Sequence, residues 1–303
     1  MPLLGKRGRN MKLDNQSMKK FLTSSAVPIL FILISAVAIP ISKFTGIYLI
    51  REIVTRLSRD SFLVLALLLP VMAGMGINFG MVLGAMAGQI GLIFITDWGI
   101  KGAAGLVLAM IIGTPIAILL GYFGGVVLNR AKGREMITSM MLGFFIAGIY
   151  QFFLLYLCGS IIPIKSPTLL LSRGYGIRNA INLDATGGFD KLLLINIGGV
   201  PIPVGTFLII ALICIFTMWF RKTKLGQEMR AVGQDMTVSE TAGIKVEKTR
   251  IQSIIISTVI ACYGQVIYLQ NIGTLNTYNG SDQAALFAAA ALLVGGATVS
   301  KAS

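Results

Sequence analysis

Charge divides this chain into long silent stretches and short crowded ones. Residues 21–42, 61–96, 102–129, 136–164, 192–220, 251–281 and 283–300 contain no Asp, Glu, Lys or Arg. Each is about as long as a membrane crossing requires, roughly 20 residues. The 61–96 run is longer than one crossing. As a single helix it would measure about 54 Å at about 1.5 Å per residue, against a hydrocarbon core of about 30 Å. It therefore predicts two crossings or a broken one. The pattern places eight crossings near 21–42, 61–78, 80–96, 103–128, 137–158, 204–220, 251–270 and 284–300. The predicted fold class is an all-α polytopic membrane protein.

Between the first two crossings, "IYLIREIVTRLSRD" (47–60) is amphipathic and is expected to lie along the outer interface. The external loop 159–203 is polar at first. It then turns apolar around Gly198 and Gly199, with Pro201 and Pro203 near its end, which predicts a short hairpin.

The basic residues orient the crossings. Lys6, Arg7, Arg9, Lys12, Lys19 and Lys20 crowd the amino end and, by the positive-inside tendency, place it in the cytoplasm. Alternation then puts Arg130, Lys132 and Arg134 inside, together with Arg221, Lys222, Lys224, Arg230, Lys245, Lys248, Arg250 and finally Lys301. These are most of the 26 Lys and Arg. Arg51, Arg56 and Arg59 fit the alternation poorly, which favours the interfacial placement of their stretch. Trp98 and Trp219 fall at predicted span ends, as interfacial indoles do. The organisation is a cytoplasmic basic tail, 1–20, and a transmembrane domain, 21–303, with an external loop 159–203 and a cytoplasmic loop 221–250. "SAVA" (35–38) offers a small-residue cleavage pattern, but the apolar run is longer than a signal core and leads into another membrane-bound stretch.

Composition adds exclusions. Charged residues are 13% and apolar residues 55% of the chain, far from a soluble average. The net charge of +14 sits at the edges of apolar runs, where anionic lipid headgroups are the expected neighbours, so no nucleic-acid partner is predicted. The chain has no histidine, which removes Ser/His/Asp triads and His-ligated metals. Cys158, Cys214 and Cys262 are scattered singly and read as small buried hydrophobes. No G-x-x-x-x-G-K-[ST] phosphate loop is present, and neither a cofactor, a metal nor a catalytic residue is predicted.

Two stretches carry candidate function. "GMGINFGMVLGAMAGQIG" (74–91) holds Gly76, Gly80, Gly84 and Gly88 at four-residue spacing. In a continuous helix these make a slowly winding groove that admits a close neighbour. Asn78 and Gln89 are amides in an uncharged setting. They read either as helix-to-helix hydrogen-bonding groups or as the lining of a watery cavity beside a glycine-loosened backbone. The second stretch, "RKTKLGQEMRAVGQDMTVSETAGIKVEKTR" (221–250), sets Leu225, Met229, Met236 and Ala242 among polar residues. It predicts two short helices broken near Gly233 and ending at Gly243. It is either a solvated connector or a docking element for a partner.

The second stretch resembles the cytoplasmic loop of permease subunits of bacterial ABC importers for simple sugars, nucleosides and branched-chain amino acids. That pattern is roughly T-x-x-G-x-x-x-R-A-x-G-x-N followed by A-G-I. Thr223, Gly226, Arg230, Ala231, Gly233, Ala242, Gly243 and Ile244 match it; Asp235 replaces Asn, and Met236 a frequent Pro. The first stretch is similar to the same family's second-span region, often G-G-I-D-L-S-x-G in sugar permeases with a Gly-Asn-rich variant in nucleoside permeases; Gly76, Ile77 and Asn78 match with Asn in place of Asp, and Phe79 and Gly80 depart. "ALFAAAALLVGGATVSKAS" resembles its A-A-x-x-L-G-G-x-S segment through Gly295 and Gly296.

The resemblance implies a type II ABC-importer-like fold. Residues 224–243 would be a coupling element that fits an ABC ATPase subunit, with Thr223, Gly226, Arg230, Gly233 and Gly243 as its site. Gly76, Asn78, Phe79, Gly80, Gln89, Gly295 and Gly296 would line the solute pathway. The implied partners are two ATPase subunits, a homo- or heterodimeric permease partner, an extracytoplasmic solute-binding protein, membrane lipid and a small-molecule solute. Sugars or nucleosides are favoured over branched-chain amino acids by the Asn78 variant. Members of the family continue for about two more spans beyond the Gly295–Gly296 segment, which predicts that this is a shortened or incomplete member. An ion-coupled secondary transporter is the rival class. Such proteins place carboxylates inside the membrane, and every Asp and Glu here lies outside the predicted spans.

Overall fold

The computed structural model describes residues 26–183, 193–197 and 200–295. The helices are α1 (Ala26–Ser42), α2 (Gly46–Met72), α3 (Met81–Asp97), α4 (Gly102–Arg130), α5 (Glu135–Phe152), α6 (Val204–Phe220), α7 (Lys224–Gln234), α8 (Met236–Thr241), α9 (Val246–Ile272) and α10 (Asp282–Val294). By length and composition α4, α9 and α5 with its extension to Leu157 can each cross a membrane; α6 and α7, bent by 74°, make a fourth candidate taken together. Shorter apolar helices occupy 28–42, 81–97 and 282–294.

Helix α9 is the centre of the bundle and packs on α2, α3 and α4. Its partners approach through glycine. A Cβ added to Gly84 or Gly88 of α3 would lie 2.1 Å from the Thr258 carbonyl oxygen or 2.6 Å from that of Cys262. Gly121 and Gly125 of α4 abut Thr258 and Ile251, and Gly91 of α3 abuts Ala109 of α4. These contacts run α3 parallel to α9, with α4 antiparallel to both. Lipid gives helices no hydrophobic drive to associate, so close backbone approach and interhelical hydrogen bonds hold such seams. Here Ser257 donates to the Ala66 carbonyl of α2 at 2.7 Å, and Thr258 to that of Ala117 of α4 at 3.1 Å. The outward faces of α1, α5 and α6 remain apolar, with Ile32, Leu33, Phe144, Phe145, Leu212 and Ile215 all exposed.

The structure departs from the sequence reading in three places. Residues 47–60 form no separate interfacial element but are the first half of α2. Nothing breaks the helix between Gly46 and Pro70; Glu52 and Arg56 pair one turn apart at 2.8 Å, and the Arg59 guanidinium lies 5.1 Å over the Tyr268 ring of α9. The crossing expected at 61–78 ends at Met72, because Gly74 and Gly76 adopt positive φ of 75° and 64° and leave Ala73–Gly80 outside any helix. Finally, the chain is mostly rather than wholly helical. Strand β1 (Ala180–Asn182) pairs antiparallel with β4 (Thr274–Asn276), and β2 (Leu194–Ile197) with β3 (Val200–Pro203). The second pair is the hairpin the glycines and prolines predicted. The first joins segments far apart in sequence, which local patterning does not reveal. The basic tail 1–20 lies outside the described residues.

Candidate functional site

The hairpin 221–250 folds as two short helices, as its sequence predicted, although the break falls at Asp235 rather than Gly233. Thr223 caps α7: its hydroxyl accepts from the Gly226 amide at 3.3 Å and donates to the Phe220 carbonyl at 2.6 Å. Gly226 is required there because a Cβ would lie 2.1 Å from the Phe220 oxygen. Asp235 caps α8 by accepting from the Val238 amide at 3.0 Å, the role an Asn also fills. Gly243 takes φ +85° just beyond α8.

Met229 and Val232 bury the inner side of α7, whereas Arg230 is exposed on its outer side; Ala242, expected on the apolar side, is exposed. Gly233 makes the close contact to α2, where a Cβ would sit 2.2 Å from the Met72 oxygen. Gly74 in turn lies against the Gly233 Cα. The hairpin is thus seated on the broken segment between α2 and α3.

Beside this seat, Arg250 at the base of α9 is fully buried. Its Nη2 pairs with Glu135 of α5 and its Nη1 lies 3.6 Å from the Met236 sulfur of α8. Asn78 is buried in the broken segment; its Oδ1 accepts from the Gly80 amide at 2.8 Å while its Nδ2 has no protein partner. The Phe79 amide donates to Ser139 of α5 at 3.1 Å.

A second polar locus lies two turns along α3. Gln89 is fully buried, and its Oε1 accepts from the Tyr150 hydroxyl at 2.9 Å. Its Nε2 sits 2.8 Å from where a Cβ of Gly280 would stand. The carbonyl of that glycine accepts from Gln265 Nε2 of α9 at 3.0 Å. The turn that carries Gly280 is tied to the segment just before β1: the Thr277 amide donates to the Asn179 carbonyl at 2.7 Å, and the Tyr278 hydroxyl donates to the Ile177 carbonyl. Burial raises the Tyr278 phenol above its ordinary value, and the Arg173 charge opposes that rise.

The structure therefore separates the predicted pathway residues into groups. Gly76, Asn78, Phe79 and Gly80 lie in the break between α2 and α3, while Gln89 belongs to the Gly280 locus. Gly295, exposed at the end of α10, joins neither, and Gly296 lies outside the described residues. Sequence reading did not single out Tyr150, Gln265, Gly280 and Ser281. Gln265 carried the signal that picked out Gln89, an amide within an uncharged run.

A family model described as branched-chain amino acid transport system / permease component matches residues 49–302. The nucleoside ABC transporter permease protein NupB of Lactococcus lactis is 26% identical over 53% of this chain and 42% of its own length. The autoinducer 2 import system permease protein LsrD of Photorhabdus luminescens is 25% identical over 76% of this chain and 61% of its own. The xylose transport system permease protein XylH of Haemophilus influenzae is 30% identical over 35% and 28%. The chain thus spans less than two thirds of the length of each of these relatives. No solved structure matches it.

Proposed function

Because the chain belongs to the family of branched-chain amino acid transport system permease components, we propose that it is the membrane subunit of an ATP-driven importer for a small hydroxylated solute, a sugar or a nucleoside. Hydrolysis is supplied by separate ABC ATPase subunits, solute arrives on an extracytoplasmic binding protein, and a second permease completes the pathway. The amino end and the hairpin 221–250 face the cytoplasm, and the chain crosses about eight times.

The observation that carries this reading is the backbone apposition of Gly233 and Gly74. A partner gripping the exposed side of α7 pushes on a helix set at 74° to α6, and the push reaches the break between α2 and α3 without an intervening side chain. A nonhelical segment at membrane depth is the place where backbone can reorganise while neighbouring protein satisfies its polar groups. The relatives named for nucleosides, autoinducer 2 and xylose support the hydroxylated solute over branched-chain amino acids.

The test is reconstitution of the chain in liposomes with its ATPase and binding protein, screened over sugars and nucleosides. Solute-stimulated ATP hydrolysis is the expected result. No stimulation by either class overturns the substrate assignment, and labelling that places Arg230 on the extracytoplasmic side overturns the coupling role.

A further inference from the structure

Three buried side-chain atoms without a hydrogen-bond partner belong to residues around Gly280: Gln89 Nε2, which lies against Gly280, Gln265 Oε1, whose amide nitrogen holds the Gly280 carbonyl, and Ser281 Oγ of the next residue. Each belongs to a residue with no exposed surface. Buried polar groups in folded proteins are overwhelmingly paired, so three orphans around one glycine point to a group that is not part of the chain. The amide of Gln265 is fixed in orientation, since only its nitrogen can donate to the Gly280 carbonyl, and its oxygen is left facing elsewhere. Gln89 is held by Tyr150, and whichever end of its amide meets the phenol, the other is left over. The missing group must therefore donate to the Gln265 oxygen, and in the amide orientation observed for Gln89 it also accepts from Nε2. It must also be neutral, because Gln89, Tyr150, Gln265, Gly280 and Ser281 carry no charge to match an ammonium or carboxylate. Asp282, the next residue, disfavours a carboxylate further.

We propose that Gln89, Gln265 and Ser281 form a hydroxyl-binding site on the solute pathway, closed over by Gly280. This rests on the importer reading above and deepens it by naming residues on α3, α9 and the turn before α10 that recognise solute hydroxyls. In the arrangement observed, none of the three residues has exposed surface. Because Thr277 and Tyr278 tie the turn to the segment just before β1, displacement of that segment withdraws Gly280 and opens both amides. The Tyr150 phenol holds Gln89 in register as a positioning residue.

The test uses the reconstituted importer and uptake of radiolabelled ribose, xylose and adenosine, each beside a deoxy analogue. A wild-type system that moves none of them overturns the importer assignment for these solutes, a failure told apart from failure of the site by the missing parent uptake. Where the wild type moves a parent solute and disfavours its deoxy analogue, Gln265→Leu is expected to lower parent uptake at least 10-fold and bring the parent-to-deoxy ratio near one, with partial recovery in Gln265→Asn. Ser281→Ala, which removes a single oxygen, carries the same test if the leucine variant does not accumulate in folded form. Equal parent and deoxy uptake in the wild type overturns the proposal. So do variants that change thermal stability while leaving the ratio intact, since the site would then hold only structural water.

Discussion

Arg250 of α9 and Glu135 of α5 form an ion pair from which water is excluded, with no exposed surface on the arginine and little on the glutamate. Met236 of α8 closes the same guanidinium from another side. Breaking such a pair leaves one charge buried alone, which typically costs about 3–5 kcal/mol. Glu135→Ala is expected to destabilise the detergent-purified protein on that scale, and Glu135→Leu combined with Arg250→Met to recover most of the loss, both read by thermal unfolding. The nearby Lys132–Glu247 pair is 3.9 Å long and largely exposed; Lys132→Ala should move stability by about 1 kcal/mol or less.

Glycines that look alike in sequence should behave oppositely. Gly84→Ala drives a methyl into the Thr258 carbonyl, and that clash with backbone is expected to separate α3 from α9 and lower the yield of monodisperse protein. Gly143 of α5 has nothing within 4 Å of an added Cβ. Gly143→Ala should therefore be neutral or stabilise by about 0.5–1 kcal/mol, the ordinary helix preference for alanine.

If the hairpin 221–250 docks an ATPase as proposed, Arg230→Glu should leave folding intact, because the side chain is exposed, while abolishing copurification of that ATPase. Retention of the ATPase by this variant would remove Arg230 from the docking surface.

The helix caps give a graded test of the same hairpin. Asp235→Asn keeps the acceptor for the Val238 amide and should change stability little. Asp235→Ala and Thr223→Ala each remove a cap worth about 1 kcal/mol, which circular dichroism melts can resolve when each is compared with the wild type.

That residues 61–96 must break was legible in the sequence, because a charge-free run of that length is too long for one helix; the place was not, since the expected boundary near 78–80 falls instead just after Met72. What the spacing could not tell was that the glycines do two jobs. Gly84 and Gly88 admit α9, whereas Gly74 and Gly76 end α2 through positive φ, and only tertiary contact distinguishes them. The two hairpin helices were readable from Gly233 and Gly243, whereas Thr223 and Asp235, which act on amides three residues away, were not singled out as caps. The Gln89 locus was half readable: the amide stood out, but Gln265 and Gly280 reach it through packing between segments remote in sequence. The amphipathic stretch 47–60 was read as a separate element because its charges stood out, whereas nothing in it breaks the helix that runs on to Met72.

The pairing of Ala180–Asn182 with Thr274–Asn276 bears on how the protein is made. A chain emerging from the ribosome carries β1 long before β4 exists, so the first strand must wait, unladdered, while α6, α7, α8 and α9 are synthesised. The β1–β4 pair therefore closes only after α9, the central helix, has been made, and its formation reports that the segments on either side of α9 have come together.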